Sequence, residues 1–332
     1  MRLRNAIFAA VAAAGIISCT PRSEEAANPV NIILDTDMGN DIDDAIALDM
    51  LYTCIDSGYV NLMAIMVNKD DAPYPASFID IMGTYYGHKI PVGAVYGGTA
   101  GPGDAVNFAR ILSEMVYPGG DPLFERSDNC LRDLPSATEL YRRTLSQAAD
   151  SSVVIASIGF YTNLARLLES PADEYSPLTG SELVARKVRL LSAMGGTFTG
   201  GFAEFNIKND IAAAQKVFCD WPTDIVLSPF EVGNSILYPA ASLPGGIEGP
   251  HPLREGYKVY CGDADRPCWD PSAVLYAVEG GRWFTLGEAG TVAIDSTGIT
   301  TFAPDSAGRV RILQATPAQS RAAAQRIVSL VK

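Results

Sequence analysis

Five carboxylates fall within ten consecutive positions in Asp35-Thr36-Asp37-Met38-Gly39-Asn40-Asp41-Ile42-Asp43-Asp44, directly after the apolar run Val30-Asn31-Ile32-Ile33-Leu34. The run has the length and content of a short buried strand, and Asp44 to Leu51 has the apolar spacing of a helix. The acids therefore sit at the carboxyl end of a strand, which is where open α/β sheets bind ligands. Carboxylates this close repel one another and stay partly protonated unless a cation is shared among them. An oxygen-only set with no His or Cys nearby suits a hard cation, Ca²⁺ or Mg²⁺, better than zinc.

Three other readings of the run are weaker. A solvated acidic turn does not need a buried strand running straight into it. An EF-hand loop counted from Asp35 needs Gly at its sixth place and Glu at its twelfth, where Asn40 and Ile46 stand. The phosphoryl-transfer hydrolases with an aspartyl nucleophile also place Asp-x-Asp after a strand, but Gly39 occupies the position where they carry Thr or Val.

The rest of the chain continues the strand and helix alternation that builds a parallel sheet. Val60 to Val67 reads as a strand ending in Asn68, Pro75 to Gly87 as a helix, and Ile90 to Val95 as a strand. Ser136 with Glu139 forms a capping-box pattern that opens a helix to about Ala149. Val153 to Ser157, Lys187 to Met194 and Asp224 to Leu227 are further strands, and Asp210 opens a helix. Pro229 to Tyr238 starts a helix, and residues 239–268 read as an irregular insertion rich in Pro and Gly. Trp269-Asp270-Pro271 then opens a helix with Asp270 at the cap and Pro271 at the first position. Short alternating strands between Arg282 and Leu313 suggest a hairpin layer packed on the main sheet, and Pro317 to Val331 a final helix. The fold class is α/β: an open, mostly parallel sheet flanked by helices, with a small β-rich C-terminal layer.

At the other end, Arg2 and Arg4 precede Ala6 to Ile17, an apolar stretch too short to span a membrane, and Ser18-Cys19 follows. Residues 1–18 are similar to a bacterial lipoprotein signal, with cleavage before Cys19 and a lipid on its sulfur. Residues 19–29 then form a polar tether, and residues 30–332 a single domain. The net charge is −13, and losing the two arginines makes the mature chain more acidic still. That excludes a nucleic acid polymer as partner, because neutralising phosphates requires clustered Lys and Arg. Besides Cys19 there are Cys54, Cys130, Cys219, Cys261 and Cys268, an odd number that leaves at least one unpaired. Cys54 and Cys219 lie in apolar helical patterns as buried thiols, whereas Cys261 and Cys268 flank a loop that a disulfide would close.

The acid run resembles the opening motif of the nucleoside hydrolases, the inosine-uridine-preferring N-ribohydrolases, usually Asp-Thr-Asp-Pro-Gly-x-Asp-Asp-Ala. It differs by two extra residues and by Met38 in place of Pro. Ser157-Ile158-Gly159-Phe160-Tyr161-Thr162-Asn163-Leu164 resembles the family's Thr-x-Gly-x-x-Thr-Asn-Leu segment. Met194-Gly195-Gly196 with Glu204-Phe205-Asn206, then Asp210-Ile211-Ala212-Ala213-Ala214, is a second match. The resemblance runs from about Ile32 to Val278.

It implies a calcium site made by Asp37, Asp44, Asp270 and the Ser157 carbonyl, with Asp37 also taking the proton of the attacking water. Asp35 would orient these ligands, and Asp43, Asn68, Glu204 and Asn206 would bind the sugar. The family's extra Asn between its two motifs is missing from Thr197 to Phe202. The His that in many relatives precedes the last ligand is replaced by Trp269, which would stack on the base. His251, between Pro250 and Pro252, is the alternative acid if its segment folds over the pocket.

The expected function is calcium-dependent hydrolysis of the N-glycosidic bond of ribonucleosides, giving free base and ribose. The competing class is a lipoprotein on the same fold that binds nucleoside or sugar without turnover. The expected partners are a small-molecule nucleoside and the membrane through Cys19, at the bacterial cell envelope on its periplasmic face or the cell surface, with homo-oligomerisation left open.

Overall fold

A computed structural model of the chain describes residues 28–102, 106–127, 133–245 and 248–332. Cys19, the signal and tether before Asn28, and Cys130 lie outside the described residues. In chain order the elements are β1 (Val30–Thr36), α1 (Asp43–Asp56), β2 (Val60–Val67), α2 (Tyr74–Tyr86), β3 (Val92–Ala94), α3 (Phe108–Glu114) and α4 (Ala137–Gln147). There follow β4 (Val153–Ser157), α5 (Thr162–Glu169), α6 (Gly180–Lys187), β5 (Val188–Met194), α7 (Phe205–Asn209), α8 (Ile211–Asp220) and β6 (Asp224–Ser228). The last part holds α9 (Phe230–Asn234), β7 (Leu237–Tyr238), α10 (Pro252–Cys261), β8 (Arg266–Pro267), α11 (Trp269–Glu279), β9 (Thr285–Ile294), β10 (Thr300–Pro304), β11 (Val310–Gln314) and α12 (Pro317–Leu330).

Nine strands form one sheet in the order β10-β9-β11-β6-β5-β4-β1-β2-β3. From β3 to β11 every neighbouring pair is parallel, and β9 is antiparallel to both of its neighbours. The middle residues of the central strands are mostly apolar because both faces are covered. In β1, Ile32 and Leu34 join a core on one face that also holds Ile46, Val274 and Ile327. Ile33 points to the other face, among Tyr141, Ile155, Leu164 and Leu191. The chain leaves β1 toward β2 and β3 on one side and returns to β4, β5 and β6 on the other. The order of connections thus reverses between β1 and β4, and a crevice opens there at the carboxyl ends of the strands.

Several local expectations are corrected. The C-terminal strands do not stack on the sheet as a separate hairpin: β11 pairs in parallel with β6, so they extend the same sheet at its edge. Ser136 caps α4 by accepting from the Glu139 N–H, but the return half of the box is replaced, since Glu139 accepts from the Tyr175 hydroxyl at 3.0 Å. The segment 239–268 contains a ten-residue helix, α10, with His251 as N-cap and Pro252 at N1. Its apolar positions Leu253, Gly256, Tyr257 and Tyr260 have helical spacing, but the surrounding prolines and glycines mask it. The helix from Pro229 is shorter than expected, because Leu237–Tyr238 leaves it to pair with Arg266–Pro267. Cys219 is exposed rather than buried, and Cys261 and Cys268 are free thiols rather than a bridge. Among the described residues no helix is long and apolar enough to cross a membrane.

Candidate active site

The acid loop is shaped by its glycine. Gly39 has φ +109°, a conformation that L side chains rarely adopt, and Asn40 N–H returns to the Asp37 carbonyl at 3.3 Å. This turn sends Asp37 into the crevice at the end of β1, while Asp43 and Asp44 follow in the first turn of α1. On the far side Asp270 lies in the first turn of α11, inside the helix rather than at its cap, which is Cys268. Asp37, Asp43, Asp44 and Asp270 are all 5% exposed or less, and all line one cavity of about 370 Å³.

Burial raises the pKa of each of these acids. For Asp44, mutual repulsion from Asp37 and Asp43 adds to it, and for Asp270, repulsion from Asp43, Asp44 and Asp37. Asp37 is raised to about 7 by burial, against the lowering effects of the Asn40 amide and the Lys69 charge. No ion pair neutralises Asp43, Asp44 or Asp270 among the described residues. Asp44 accepts from the Thr36 hydroxyl, and Asp43 from the Asp270 N–H at 3.0 Å.

Behind this set, Asp35 is fully buried and does not line the cavity; it accepts from the Tyr141 hydroxyl at 2.6 Å and from the Asn68 and Asn163 amides. Gly159 keeps the two layers in contact, since a Cβ there would lie 2.5 Å from both Asn68 Oδ1 and the Asp37 nitrogen.

Glu204 and Asn206 also line the cavity. Glu204 caps α7, and its carboxylate accepts the N–H groups of Gly196, Asn206 and Ile207. Burial raises its pKa, and these hydrogen bonds work against the rise. Three expected residues do not line the cavity themselves. Asn68 donates to Asp35 at 2.7 Å and accepts from Phe160 N–H at 3.0 Å, bracing the two loops behind the cavity. Ser157 ends β4 one residue before the cavity-lining Ile158, and its buried hydroxyl has no partner. His251 is turned away from the cavity: its Nδ1 accepts from Arg254 N–H and its Nε2 lies 3.1 Å from both the Tyr86 hydroxyl and the Lys332 carbonyl. The acid expected of His251 is therefore withdrawn, because its segment folds as a capped helix whose cap residue is buried.

The wall facing the acids is aromatic. Trp269 lines it with Phe202, Phe205, Phe230 and Tyr260. The indole stacks on Phe230 at 5.5 Å and donates to its carbonyl at 3.2 Å. Arg266 lies between the two walls: its Nε and Nη2 both donate to Asp41, and its Cζ is 5.2 Å from the Tyr260 ring centre and 5.1 Å from that of Trp269. Glu231 holds the neighbouring loop by accepting from the Thr197 hydroxyl and the Phe198 and Thr199 N–H groups, each at 2.7 Å. Sequence reading missed Tyr260, Glu231, Phe230 and Arg266. The helical spacing of α10 was the one available signal, and only for Tyr260.

The family model described as "Inosine-uridine preferring nucleoside hydrolase" matches residues 32–327. The chain belongs to that family. Solved nucleoside hydrolases share its fold. A plant nucleoside hydrolase is 19% identical with a TM-score of 0.67, covering 92% of this chain and 98% of its own. An inosine-guanosine nucleoside hydrolase is 18% identical with a TM-score of 0.66, covering 91% and 98%. The inosine-uridine preferring enzyme of Bacillus anthracis is 17% identical with a TM-score of 0.64, covering 90% and 99%. No curated protein matches the sequence.

A hard divalent cation fits this nucleoside hydrolase by its donor chemistry. The crevice concentrates buried carboxylates that repel one another, and among the described residues no side-chain cation forms an ion pair with Asp43, Asp44 or Asp270. Among the described residues, no three acids, histidines or cysteines already stand in a coordinating group.

Proposed function

We propose that this nucleoside hydrolase cleaves the N-glycosidic bond of ribonucleosides in a calcium-dependent reaction, releasing free base and ribose. The observation that carries the reading is the convergence of Asp37, Asp43, Asp44 and Asp270 on one cavity whose opposite wall is aromatic. The cavity falls in the size range of small-molecule sites, with room for a sugar on the acidic side and a planar base on the other.

Asp37, Asp44 and Asp270, with the Ser157 carbonyl, would hold calcium. When bound, that ion supplies positive charge that lowers the pKa of a water and fixes its position beside the sugar. The carboxylate of Asp37 takes the proton that the water loses on attacking C1′. Asp43 is fastened to the Asp270 backbone and keeps a second oxygen for a sugar hydroxyl. Glu204 has three backbone donors on its carboxylate, so it is rigidly aimed at the sugar side, and Asn206 lies beside it. Negative charge on this wall also stabilises the oxocarbenium-like sugar of the transition state. The aromatic residues exclude water from the base side and offer apolar surface to its ring. We further propose a lipid on Cys19 that anchors a single domain, residues 30–332, at the cell envelope.

The deciding measurement is release of free base from a panel of nucleosides with and without chelator. Release that is lost in chelator and restored by calcium is expected. Binding of nucleosides without release, or release indifferent to chelator, overturns the reading.

A further inference from the structure

An N-glycosidic bond that breaks toward water leaves its electron pair on the base. In this cavity the base departs beside Asp37, Asp41, Asp43, Asp44, Glu204 and Asp270, which all oppose the build-up of negative charge. The position before Asp270, where many relatives carry a proton-donating His, holds Trp269, and His251 is committed to capping α10. Another group must favour departure of the base.

Among the described residues two cations line the cavity, Lys208 and Arg266. Lys208 is exposed in the last turn of α7. Arg266 is about a quarter exposed and is held from two directions. Asp41 takes its Nε and one Nη2 hydrogen, and the Tyr260 and Trp269 rings lie close to the guanidinium carbon. A guanidinium has five N–H donors, so both hydrogens of Nη1 and one of Nη2 remain, and Nη1 has no partner among the described residues. Asp41 belongs to the acid run that is two residues longer than the usual motif. The longer loop therefore brings a carboxylate to the base side of the cavity, where it aims an arginine.

We propose that Arg266 is the leaving-group residue of this enzyme: its free N–H groups bind the acceptor edge of the departing base and stabilise the negative charge that develops there. The inference rests on the hydrolase reading above and adds to it the means by which the base leaves. In the step, the bond from C1′ to the base nitrogen breaks and its electron pair passes into the base ring and attached carbonyl. The water oxygen forms its bond to C1′ and gives its proton to Asp37. The base anion, held by Arg266, takes a proton from solvent and departs. An arginine acts here by charge and by paired hydrogen bonds rather than as an acid, because it does not release its proton in a protein. A base presenting a carbonyl oxygen next to a ring nitrogen offers two adjacent acceptors to the hydrogens that Asp41 leaves on Nη1 and Nη2, as such an edge does in arginine recognition of guanine.

The test compares inosine with 4-nitrophenyl riboside, whose leaving group is already a stable anion, in the calcium-loaded full chain. Arg266→Gln keeps a polar N–H donor on a shorter stem and removes the charge. It is expected to lower kcat for inosine by about 10²-fold or more, the scale of losing one donor to a developing anion, and kcat for the nitrophenyl substrate by less than about fivefold. Arg266→Lys should recover part of the inosine loss. Asp41→Asn, a milder change that keeps the arginine but loosens its aim, should show the same selectivity at about tenfold, and it serves as the test should Arg266→Gln not fold. Equal losses on both substrates, or an unchanged inosine rate, overturn the proposal. A wild-type protein inactive on both substrates overturns the hydrolase reading instead.

Discussion

The backbone N–H of Asp270 donates to the Asp43 carboxylate at 3.0 Å, joining the first turn of α11 to the first turn of α1 across 227 residues of sequence. This bond holds the two halves of the acid cluster face to face. Asp43→Ala removes the acceptor and leaves a buried donor unmet, at a cost of about 1–3 kcal/mol. It also removes one of several mutually repelling charges. In chelator these effects offset, and the variant should melt near wild type. With calcium, wild type should gain stability through mass action and the variant should gain much less. Melting scans with and without calcium check this, and equal calcium shifts in both proteins would contradict it.

Gly159 carries a sharper expectation. A Cβ at this position would stand 2.5 Å from the Asp37 nitrogen and 2.7 Å from Asp37 Oδ1, too close for the loop to stay where it is. Gly159→Ala should therefore displace Asp37 and lower kcat/KM by about 10²-fold, the usual scale of a misplacement near 1 Å. Gly159 lies in the loop after β4, so far-UV circular dichroism should stay that of wild type. An active Gly159→Ala protein would remove Asp37 from the reacting centre.

His251 supplies the N-cap of α10 and a partner for the half-buried Tyr86 hydroxyl. His251→Ala should cost about 1–2 kcal/mol of unfolding free energy and leave kcat within about twofold. Urea denaturation and nucleoside turnover measure the two. Loss of inosine hydrolysis with the nitrophenyl substrate spared would restore His251 as the acid.

The same network gives a pH signature. Burial raises Asp49 to about 7, against hydrogen bonds from the Tyr86 hydroxyl and the Lys332 N–H. In the unfolded chain it titrates at about 3.9. Between these values the folded state holds a proton that the unfolded state has lost, so the Asp49 contribution to stability is full below about pH 4 and disappears as the pH rises through about 7. Burial lowers His251 to about 4, so its contribution has the opposite sign, present above about pH 6.5 and lost as the pH falls through about 4. The difference in unfolding free energy between wild type and Asp49→Asn isolates the carboxylate. The wild-type value minus that of the variant should fall steadily from about pH 4 to about pH 7, and a flat difference would show that Asp49 ionises alike in both states.

The alternation of strands and helices could be read from sequence because it is local. Ile32 to Leu34 and Val153 to Ala156 are unbroken apolar stretches, and strands buried on both faces need them. Asp37, Asp43 and Asp44 were found the same way, since acids at a strand end mark their position by their neighbours in the chain, whereas Asp270 read locally as a helix cap and joined them only through the family resemblance. Where those four meet depends on sheet order, above all on β1 lying between β2 and β4, and no local pattern encodes that order. Arg266 shows the limit most clearly. By itself it is one arginine in a segment of Asp, Pro and Gly, with no periodicity to mark it. Its pairing with Asp41 joins positions 225 residues apart, and its place between the acids and the aromatic wall exists only once α1, α10 and α11 have packed around the same cavity. His251 shows the converse, a residue whose type suggested chemistry and whose burial at a helix cap made it structural. The sequence alone determined which residues could carry charge at the ends of strands; tertiary packing decided which of them share a cavity, because burial and long-range pairing depend on neighbours that the chain brings together only on folding.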